Sequence, residues 1–390
     1  MNNTLLWLRA ESKAFEERTL LTPEVTRELL KAGFEVVVER SVARIFSDEE
    51  YQEAGCRLVP EGSWQAAPEH AFILGLKELD PVLGPFTRRH VHFAHAYKHQ
   101  SGWQETLGAF ARGKGTLYDL EYLVDEQGRR VAAFGYWAGF VGAATAVLSW
   151  AGQALGKEPS LAALQAWPDK NALIADVREQ LAQVEAAQGG CDEDAVVSEA
   201  GAAAQSHKPV DQRPTALVIG ALGRCGRGAC ELLEACDVPL TRWDQAETAA
   251  GGPFDAVREH DMLINCVFVN APSLPFTTLE HLQSPQRRLC VIADVSCDPT
   301  GEFNPLPVYR DCTTMDRPVE RLLAADGSAP RLDIIAIDHL PSLLPRESSE
   351  DFSTQMLPHL LELKQPDQGV WQRAEAVFRQ YRDLATGQQA

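Results

Sequence analysis

The stretch Ala216-Leu217-Val218-Ile219-Gly220-Ala221-Leu222-Gly223-Arg224-Cys225-Gly226 decides the fold. Four apolar residues in a row read as a fully buried strand, and the glycine-rich turn behind them leads into a helix over 226–235. Glycine at such a turn lets the backbone bend sharply and approach a pyrophosphate, which the free N–H groups and positive end of the helix then hold. The spacing is G-x-x-G-x-x-G, a departure from the usual G-x-G-x-x-G, and taken alone it also fits plain strand–helix packing. Further apolar strands at 240–243, 262–266, 289–293 and 333–337 complete an α/β unit around it. Asp244 ends the strand after the turn, where a carboxylate accepts both ribose hydroxyls and repels a 2′-phosphate. NAD is therefore favoured over NADP, with Arg224 and Arg242 the nearby cations that weaken the preference. Cys225 opens the helix and Cys266 ends the strand expected beside it, so the two thiols come close, either as small reduced residues or as a thiol pair.

Moving toward the N-terminus, strands at 4–8, 34–38, 71–76 and 92–94 alternate with helical stretches, among them a helix opened by Thr22-Pro23 and followed by Gly33. The expected architecture is α/β, with two doubly wound Rossmann-like domains and a cleft between them. Between the two units, 131–155 carries no charge and follows Arg129-Arg130, as a membrane span can. It is rich in Gly and Ala, however, including Gly135, Ala138, Gly139, Gly142, Ala143 and Ala144, which favours a buried helix. Residues 157–168 and 169–187 read as helical connection, 189–213 as a flexible insertion without apolar periodicity, and 355–382 as a closing helix.

The 390 residues carry 36 Lys and Arg against 55 Asp and Glu, a formal charge of −19, with 45% hydrophobic and 23% charged residues. That is a soluble globular composition of two or three domains. No basic run exceeds Arg-Arg, which argues against nucleic acid as a partner. The nine cysteines form no C-x-x-C and no zinc spacing, so no metal is expected and the thiols read as reduced and cytoplasmic. The first residues lack a signal-peptide pattern, and Gly-Gln-Gln-Ala at the end carries no targeting tail.

Candidate chemistry concentrates at strand ends of the N-terminal half, where ligands collect in open α/β sheets. Lys13 and Arg18 follow the first strand, Lys77-Glu78 follow Gly75-Leu76, His95 follows Phe93-Ala94, and Arg129-Arg130 precede the apolar helix. A lysine in a cleft near arginines can lose its proton and serve as a base, with Glu78, Asp119 and Glu121 keeping its basicity from falling too far. His95 is more often a structural hydrogen-bonder than a catalyst, and strand alternation would put it on the same face as Tyr97.

These residues belong to longer motifs. Leu8-Arg9-Ala10-Glu11-Ser12-Lys13 with Glu17-Arg18, Gly75-Leu76-Lys77-Glu78, Phe93-Ala94-His95-Ala96-Tyr97-Lys98, Tyr118-Asp119-Leu120-Glu121, Gly128-Arg129-Arg130-Val131, Asp294-Val295-Ser296-Cys297-Asp298 and Ile337-Asp338-His339-Leu340-Pro341-Ser342-Leu343-Leu344-Pro345 are all present. With the turn at 220–226 they resemble the lysine-forming, NAD-dependent saccharopine dehydrogenases, within the alanine dehydrogenase and transhydrogenase-like superfamily. The resemblance implies cleavage of saccharopine to lysine and 2-oxoglutarate, or the reverse, by hydride transfer to NAD and imine hydrolysis. It implies Lys77 as base for the secondary amine and His95 as acid–base group for the imine. It implies Arg18, Lys77, Gln100, Arg130, Phe134, Ser296, Cys297 and Asp298 at the substrate, with Lys13, Glu78 and Glu121 tuning the acid–base groups. Arg129, Gly223, Arg224, Asp244, Thr248, Phe268, Val295, Ile337, Asp338, His339 and Leu340 would line NAD. The family pattern also implies a substrate domain of 1–135 with 341–390 and an NAD domain of 136–340; a monomer is expected. Phe268 and Cys297 stand where Tyr and Ala are expected. An alanine dehydrogenase and a non-catalytic NAD sensor are the alternative readings, the sensor disfavoured by the presence of both Lys77 and His95.

Overall fold

Alternate residues of each short strand feed two different cores, and this sorts the chain into layers. The computed structural model describes residues 4–98, 101–189, 213–267, 269 and 271–387. It comprises two units, Met1–Phe134 with Pro345–Ala390, and Gly135–Leu344.

In the first unit the elements are β1 (Leu5–Leu8), α1 (Pro23–Lys31), β2 (Glu35–Glu39), α2 (Asp48–Glu53), β3 (Arg57–Val59), β4 (Phe72–Leu74), β5 (Arg89–His92), α3 (Trp103–Gly113) and β6 (Thr116–Asp119). The strands form a parallel six-stranded sheet in the order β3-β2-β1-β4-β5-β6. Leu6 and Leu8 of β1 enter one core with Val36, Val38 and Phe72, while Leu5 and Trp7 enter the other with Val37 and Ile73. Thr22 caps α1 by accepting from Val25 N, with Pro23 in the first turn.

The second unit runs through α4 (Gly135–Ala154), α5 (Lys170–Gly189), β7 (Ala216–Ile219), α6 (Arg224–Ala235), β8 (Leu240–Trp243), α7 (Gln245–Thr248), α8 (Asp255–Glu259), β9 (Met262–Asn265), α9 (Leu279–Leu282), β10 (Val291–Asp294), β11 (Glu320–Leu323) and β12 (Leu332–Ile335). Its six-stranded sheet has the order β11-β12-β10-β9-β7-β8, parallel except for the antiparallel edge strand β11. The uncharged stretch becomes α4, with Phe140, Val141, Ala144 and Val147 fully buried in this unit's core. Among the described residues no helix is long and apolar enough to cross a membrane. A Cβ on Gly139 would lie 1.9 Å from the Cys225 carbonyl oxygen, and one on Gly228 would lie 1.9 Å from that of Tyr136. Glycine at these two positions lets α4 and α6 pack backbone against backbone.

The chain then returns to the first unit as α10 (Pro345–Leu361) and α11 (Gly369–Thr386). Leu343 and Leu344 are still buried in the second unit's core, so the return begins at Pro345.

Several sequence expectations change here. The segment 157–168 is irregular, not helical: its backbone bonds outward, with Leu164 N donating to Met315 O at 2.8 Å and Trp167 N to Leu343 O at 2.9 Å. The closing helix is two helices, because Pro366 and the left-handed Gly369 (φ 59°) interrupt it. The strand expected at 92–94 ends at His92, and β3, β6 and β11 carry too little apolar periodicity to be read from sequence. Most of the 189–213 insertion lies outside the described residues.

Glu39, fully buried at the end of β2, gathers four donors. Its Oε1 accepts from Trp7 Nε1 at 3.2 Å and Trp64 N at 2.5 Å, and its Oε2 from Ala10 N and Gly62 N, both at 3.0 Å. Buried donors left without an acceptor cost about 1–3 kcal/mol each. Glu39→Leu is therefore expected to destabilise the protein by about 3 kcal/mol or more in chemical denaturation. A loss below about 1 kcal/mol would show that these donors find other acceptors.

Candidate active site

The strand order of the first sheet reverses between β1 and β4, and the residues following these two strands meet there. Behind β1, Arg9 is almost fully buried and donates to Glu11 Oε2 at 3.1 Å, to Ala10 O, and to the carbonyl oxygen of Lys77. Glu11 in turn accepts from Leu76 N at 2.6 Å and from Lys77 N at 3.1 Å. Both backbone polar groups of Lys77 are thus held by one ion pair. Gly75 makes room for it: a Cβ there would lie 2.4 Å from Arg9 Nε.

The Lys77 ammonium lies 3.8 Å from Glu16 Oε2. Glu16 is buried and takes two bonds from the Arg18 guanidinium, at 2.8 and 2.7 Å. Burial pushes the Glu16 carboxyl up, but Arg18 and Lys77 outweigh it and hold the group below the usual carboxylate range. Arg18 itself is buried, stacked 4.4 Å over the Phe134 ring, which lies parallel to Phe352 at 4.3 Å. Arg18, stacked on Phe134, therefore braces Glu16.

A cleft of ≈480 Å³ in this unit is lined by Lys13, Glu78, His95 and Trp103, among others. Lys13 Nζ donates to Glu78 Oε1 at 2.8 Å. Burial raises the Glu78 carboxyl, and Lys13 and His95 bring it below its ordinary value. His95 has a left-handed backbone (φ 51°), which turns it away from the direction of β5. Its side chain is 47% exposed while Tyr97 is 2% exposed, so the two do not share a face. The expected strand alternation fails because the strand has already ended at His92.

His95 Nδ1 lies 3.9 Å from Glu121 Oε2, while Glu121 Oε1 accepts from Lys98 at 2.7 Å and lies 3.8 Å from Arg130. Against burial, Lys98, Arg130 and His95 together keep Glu121 below the usual range. Asp119, fully buried at the end of β6, accepts from Glu121 N at 2.9 Å. Burial pushes its carboxyl up to about 7. Arg129 is tied to Asp125 at 2.9 Å and is otherwise exposed. Gln100 lies outside the described residues.

In the second unit the order reverses between β7 and β9. Gly220 is left-handed (φ 85°), and a Cβ on Gly226 would lie 2.0 Å from the Gly220 carbonyl oxygen, so the turn folds tightly onto the start of α6. Leu222, Gly223 and Arg224 at its tip are exposed. Asp244 reaches this tip, its Oδ2 accepting from Leu222 N at 2.9 Å and its Oδ1 from Gln245 N at 2.8 Å. Arg242 is paired with Glu234. Thr248 Oγ1 donates to Asp244 O at 2.9 Å.

Cys225 and Cys266 do meet: the hydrogen bond with Cys225, followed by burial, pushes the Cys266 thiol well above its usual range. Val295 fills the space over Gly142, where a Cβ would lie 2.5 Å from Val295 Cγ2. Ile337 and Leu340 are packed in the core, whereas Asp338 is exposed and His339 half-buried. Ser296 Oγ donates to Asp294 Oδ1 at 2.6 Å and Asn265 Nδ2 donates to Ser296 Oγ at 3.0 Å, while Tyr309 donates to Asp294 Oδ2 at 2.7 Å. Asp298 is half-buried against Gly301. Phe268 lies outside the described residues.

Sequence reasoning assigned no role to Arg9, Glu11, Glu16, Asn265, Asp294 or Tyr309, which position the groups it did identify. The one available signal was that Arg9, Glu11, Glu16 and Arg18 crowd directly behind an apolar strand.

The family described as "Alanine dehydrogenase/PNT, N-terminal domain" matches residues 7–141. In solved structures, an L-alanine dehydrogenase superposes with a TM-score of 0.61 at 17% identity, covering 96% of this chain and 94% of that one. A transhydrogenase from Sinorhizobium meliloti gives 0.54 at 15%, covering 92% and 94%. At such identities the likeness establishes the fold. The Schizosaccharomyces pombe saccharopine dehydrogenase (NAD(+), L-lysine-forming) is 44% identical over 378 residues, 96% of this chain and 97% of its own length. The Neurospora crassa protein of the same name is 46% identical over 385 residues, 97% and 96% of the two chains. With such identity across almost the whole of both partners, this chain belongs to the saccharopine dehydrogenase (NAD(+), L-lysine-forming) family.

Proposed function

We propose that this chain catalyses the reversible, NAD-dependent oxidative cleavage of saccharopine to lysine and 2-oxoglutarate. The observation that carries the reading is the near full-length identity of 44 and 46% to enzymes named for that activity. Two pairs in the first unit, Lys77 with Glu16 and His95 with Glu121, supply the acid–base groups such a reaction needs.

The residues present fit NAD. The turn at 220–226 is a cradle that side chains would fill, and Asp244 stands at its tip as the ribose acceptor. Gly223, Arg224, Thr248, Val295, Asp338 and His339 would hold the dinucleotide with the backbone of the buried Ile337 and Leu340, and Arg129 is added to them on family resemblance alone. Bound there, NAD would supply the hydride acceptor for the oxidation of the glutaryl carbon that bears the secondary amine. Lys77, its backbone clamped by Arg9 and Glu11, takes the proton from that amine. His95, oriented by its left-handed backbone and backed by Glu121, moves protons to and from water as the imine is hydrated and its carbon–nitrogen bond breaks. Arg130 and the remaining terminal nitrogen of Arg18 receive substrate carboxylates and Phe134 packs against the carbon chain, with Ser296, Cys297 and Asp298 added on family resemblance alone. Gln100 and Phe268 stay in this reading on family resemblance alone. The enzyme is read as a monomer; the net charge of −19 supports the absence of a nucleic-acid partner, and free thiols at all the described cysteines support a cytoplasmic setting.

With NAD and saccharopine the purified protein is expected to generate NADH absorbance, and with NAD and alanine none. NADH from alanine alone would overturn the assignment. Lys77→Met is expected to lower kcat about a hundredfold or more while leaving NAD binding, read by calorimetry, unchanged. Removing the Asp244 carboxylate in Asp244→Ala is expected to raise the KM for NAD roughly tenfold and to narrow the preference over NADP. An unchanged cofactor preference would remove Asp244 from the ribose site. In Glu16→Gln the anion that favours protonated Lys77 is gone, so the acid limb of the kcat/KM profile is expected to move to lower pH. A shift to higher pH would contradict that arrangement.

A further inference from the structure

One pair of nucleophiles joins Cys297, already read as a substrate contact, to Cys312, which the reaction does not use. Cys297 Sγ and Cys312 Sγ are 3.1 Å apart, and both are free thiols, Cys297 half-buried and Cys312 exposed. Their backbones are anchored independently. Cys297 adopts a left-handed conformation (φ 49°) with its N–H directed at Asp294 Oδ1 at 3.4 Å, and Asp294 is fixed from its other oxygen by Tyr309. Next to Cys312, Thr313 exchanges two bonds with Ala336: Thr313 N donates to Ala336 O at 2.8 Å, and Ala336 N donates to Thr313 Oγ1 at 2.9 Å. Two anchored segments therefore present their sulfurs to each other, and closing from 3.1 Å to a disulfide bond of about 2 Å requires a movement within reach of side-chain rotation.

We propose that Cys297 and Cys312 form a reversible oxidation site, in which a small-molecule disulfide converts the two thiols into an intramolecular disulfide. The exposed Cys312 thiolate attacks one sulfur of the oxidant RSSR, forming a mixed disulfide and releasing one RS⁻. Cys297 then loses its proton and attacks the Cys312 sulfur, releasing the second RS⁻. Two protein thiols are oxidised by two electrons and RSSR is reduced to two RSH.

The surroundings select the oxidant. Burial raises the Cys312 thiol, the hydrogen bond with Cys297 lowers it, and Asp338, Asp294 and Asp311 raise it further, while burial, the Cys312 contact, Asp338 and Asp294 raise that of Cys297. Reaction therefore accelerates as pH rises, and the same carboxylates favour a cationic disulfide over an anionic one. This site is separate from Cys225 and Cys266, whose contact lies beside the glycine turn.

The test uses the full chain with cystamine as oxidant, alkylation of remaining thiols, and mass spectrometry after cleavage without reduction. Cleavage at Arg310 places the two cysteines on different peptides. A cross-linked peptide pair joining Cys297 to Cys312 is expected, reverting on addition of a thiol reductant. In Cys297→Ala the same treatment is expected to leave a stable cysteamine adduct on Cys312, and in Cys312→Ser to leave Cys297 unreacted. Oxidised glutathione, which is anionic, is expected to react several-fold more slowly than cystamine at low salt, with the gap narrowing as salt is added. Wild-type protein that keeps cysteamine on Cys312 without cross-linking, or alkylates at both positions, would overturn the proposal. Because the readout is thiol chemistry, its outcome is independent of whether saccharopine is the substrate.

Discussion

The buried ion pair of Arg9 and Glu11 is the contact on which the first unit's chemistry depends. It occupies both backbone polar groups of Lys77, so the lysine leaves β4 in one direction only. The pair can sit there because Gly75 has no Cβ to displace the Arg9 guanidinium. The segment carrying Arg9 is itself held, since Glu39 accepts from Ala10 N and Arg44 donates to the carbonyl oxygen of Arg9 at 3.3 Å. A lysine with four rotatable carbons is a poor positioning device by itself. Here its root is fixed by charge-assisted hydrogen bonds, which are stronger and shorter than neutral ones.

The second unit solves a different problem with glycine. Gly139 and Gly228 bring α4 and α6 into backbone contact, Gly226 brings the start of α6 onto the turn, and Gly142 admits Val295. The uncharged stretch that looked long enough to span a bilayer is uncharged because it is enclosed by its own sheet and by α6. Its polar residues are settled inside the unit, with Thr145 bonded to the Gly142 carbonyl and Ser149 to Ser160.

How much of this could be read from the chain alone depends on how local the physics is. The run at 216–219 and the turn after it are local, because a strand buried on both faces must be apolar and a tight turn must be glycine-rich. Asp244 was legible for the same reason, standing at a fixed place after the next strand. The acid–base residues were found as positions, but their supports were not. Glu16 gains its meaning only when β1 and β4 lie side by side and bring Lys77 within 3.8 Å. His95 was misread by strand periodicity, since nothing in Phe93-Ala94-His95-Ala96-Tyr97 announces a left-handed residue there. The 157–168 segment was misread because its backbone partners, Met315 and Leu343, are more than a hundred residues away. Arg18 was legible as a cation, but its commitment to Glu16 and Phe134 was not.

In the proposed reaction the bond broken is the one between the amine nitrogen and the glutaryl carbon, so that lysine leaves with the nitrogen. Saccharopine carrying deuterium on that glutaryl carbon tests it directly, with products identified by mass spectrometry. Deuterium is expected in the reduced nicotinamide, with unlabelled lysine and 2-oxoglutarate formed in equal amounts. Glutamate retaining the deuterium, formed alongside an aldehyde, would contradict it.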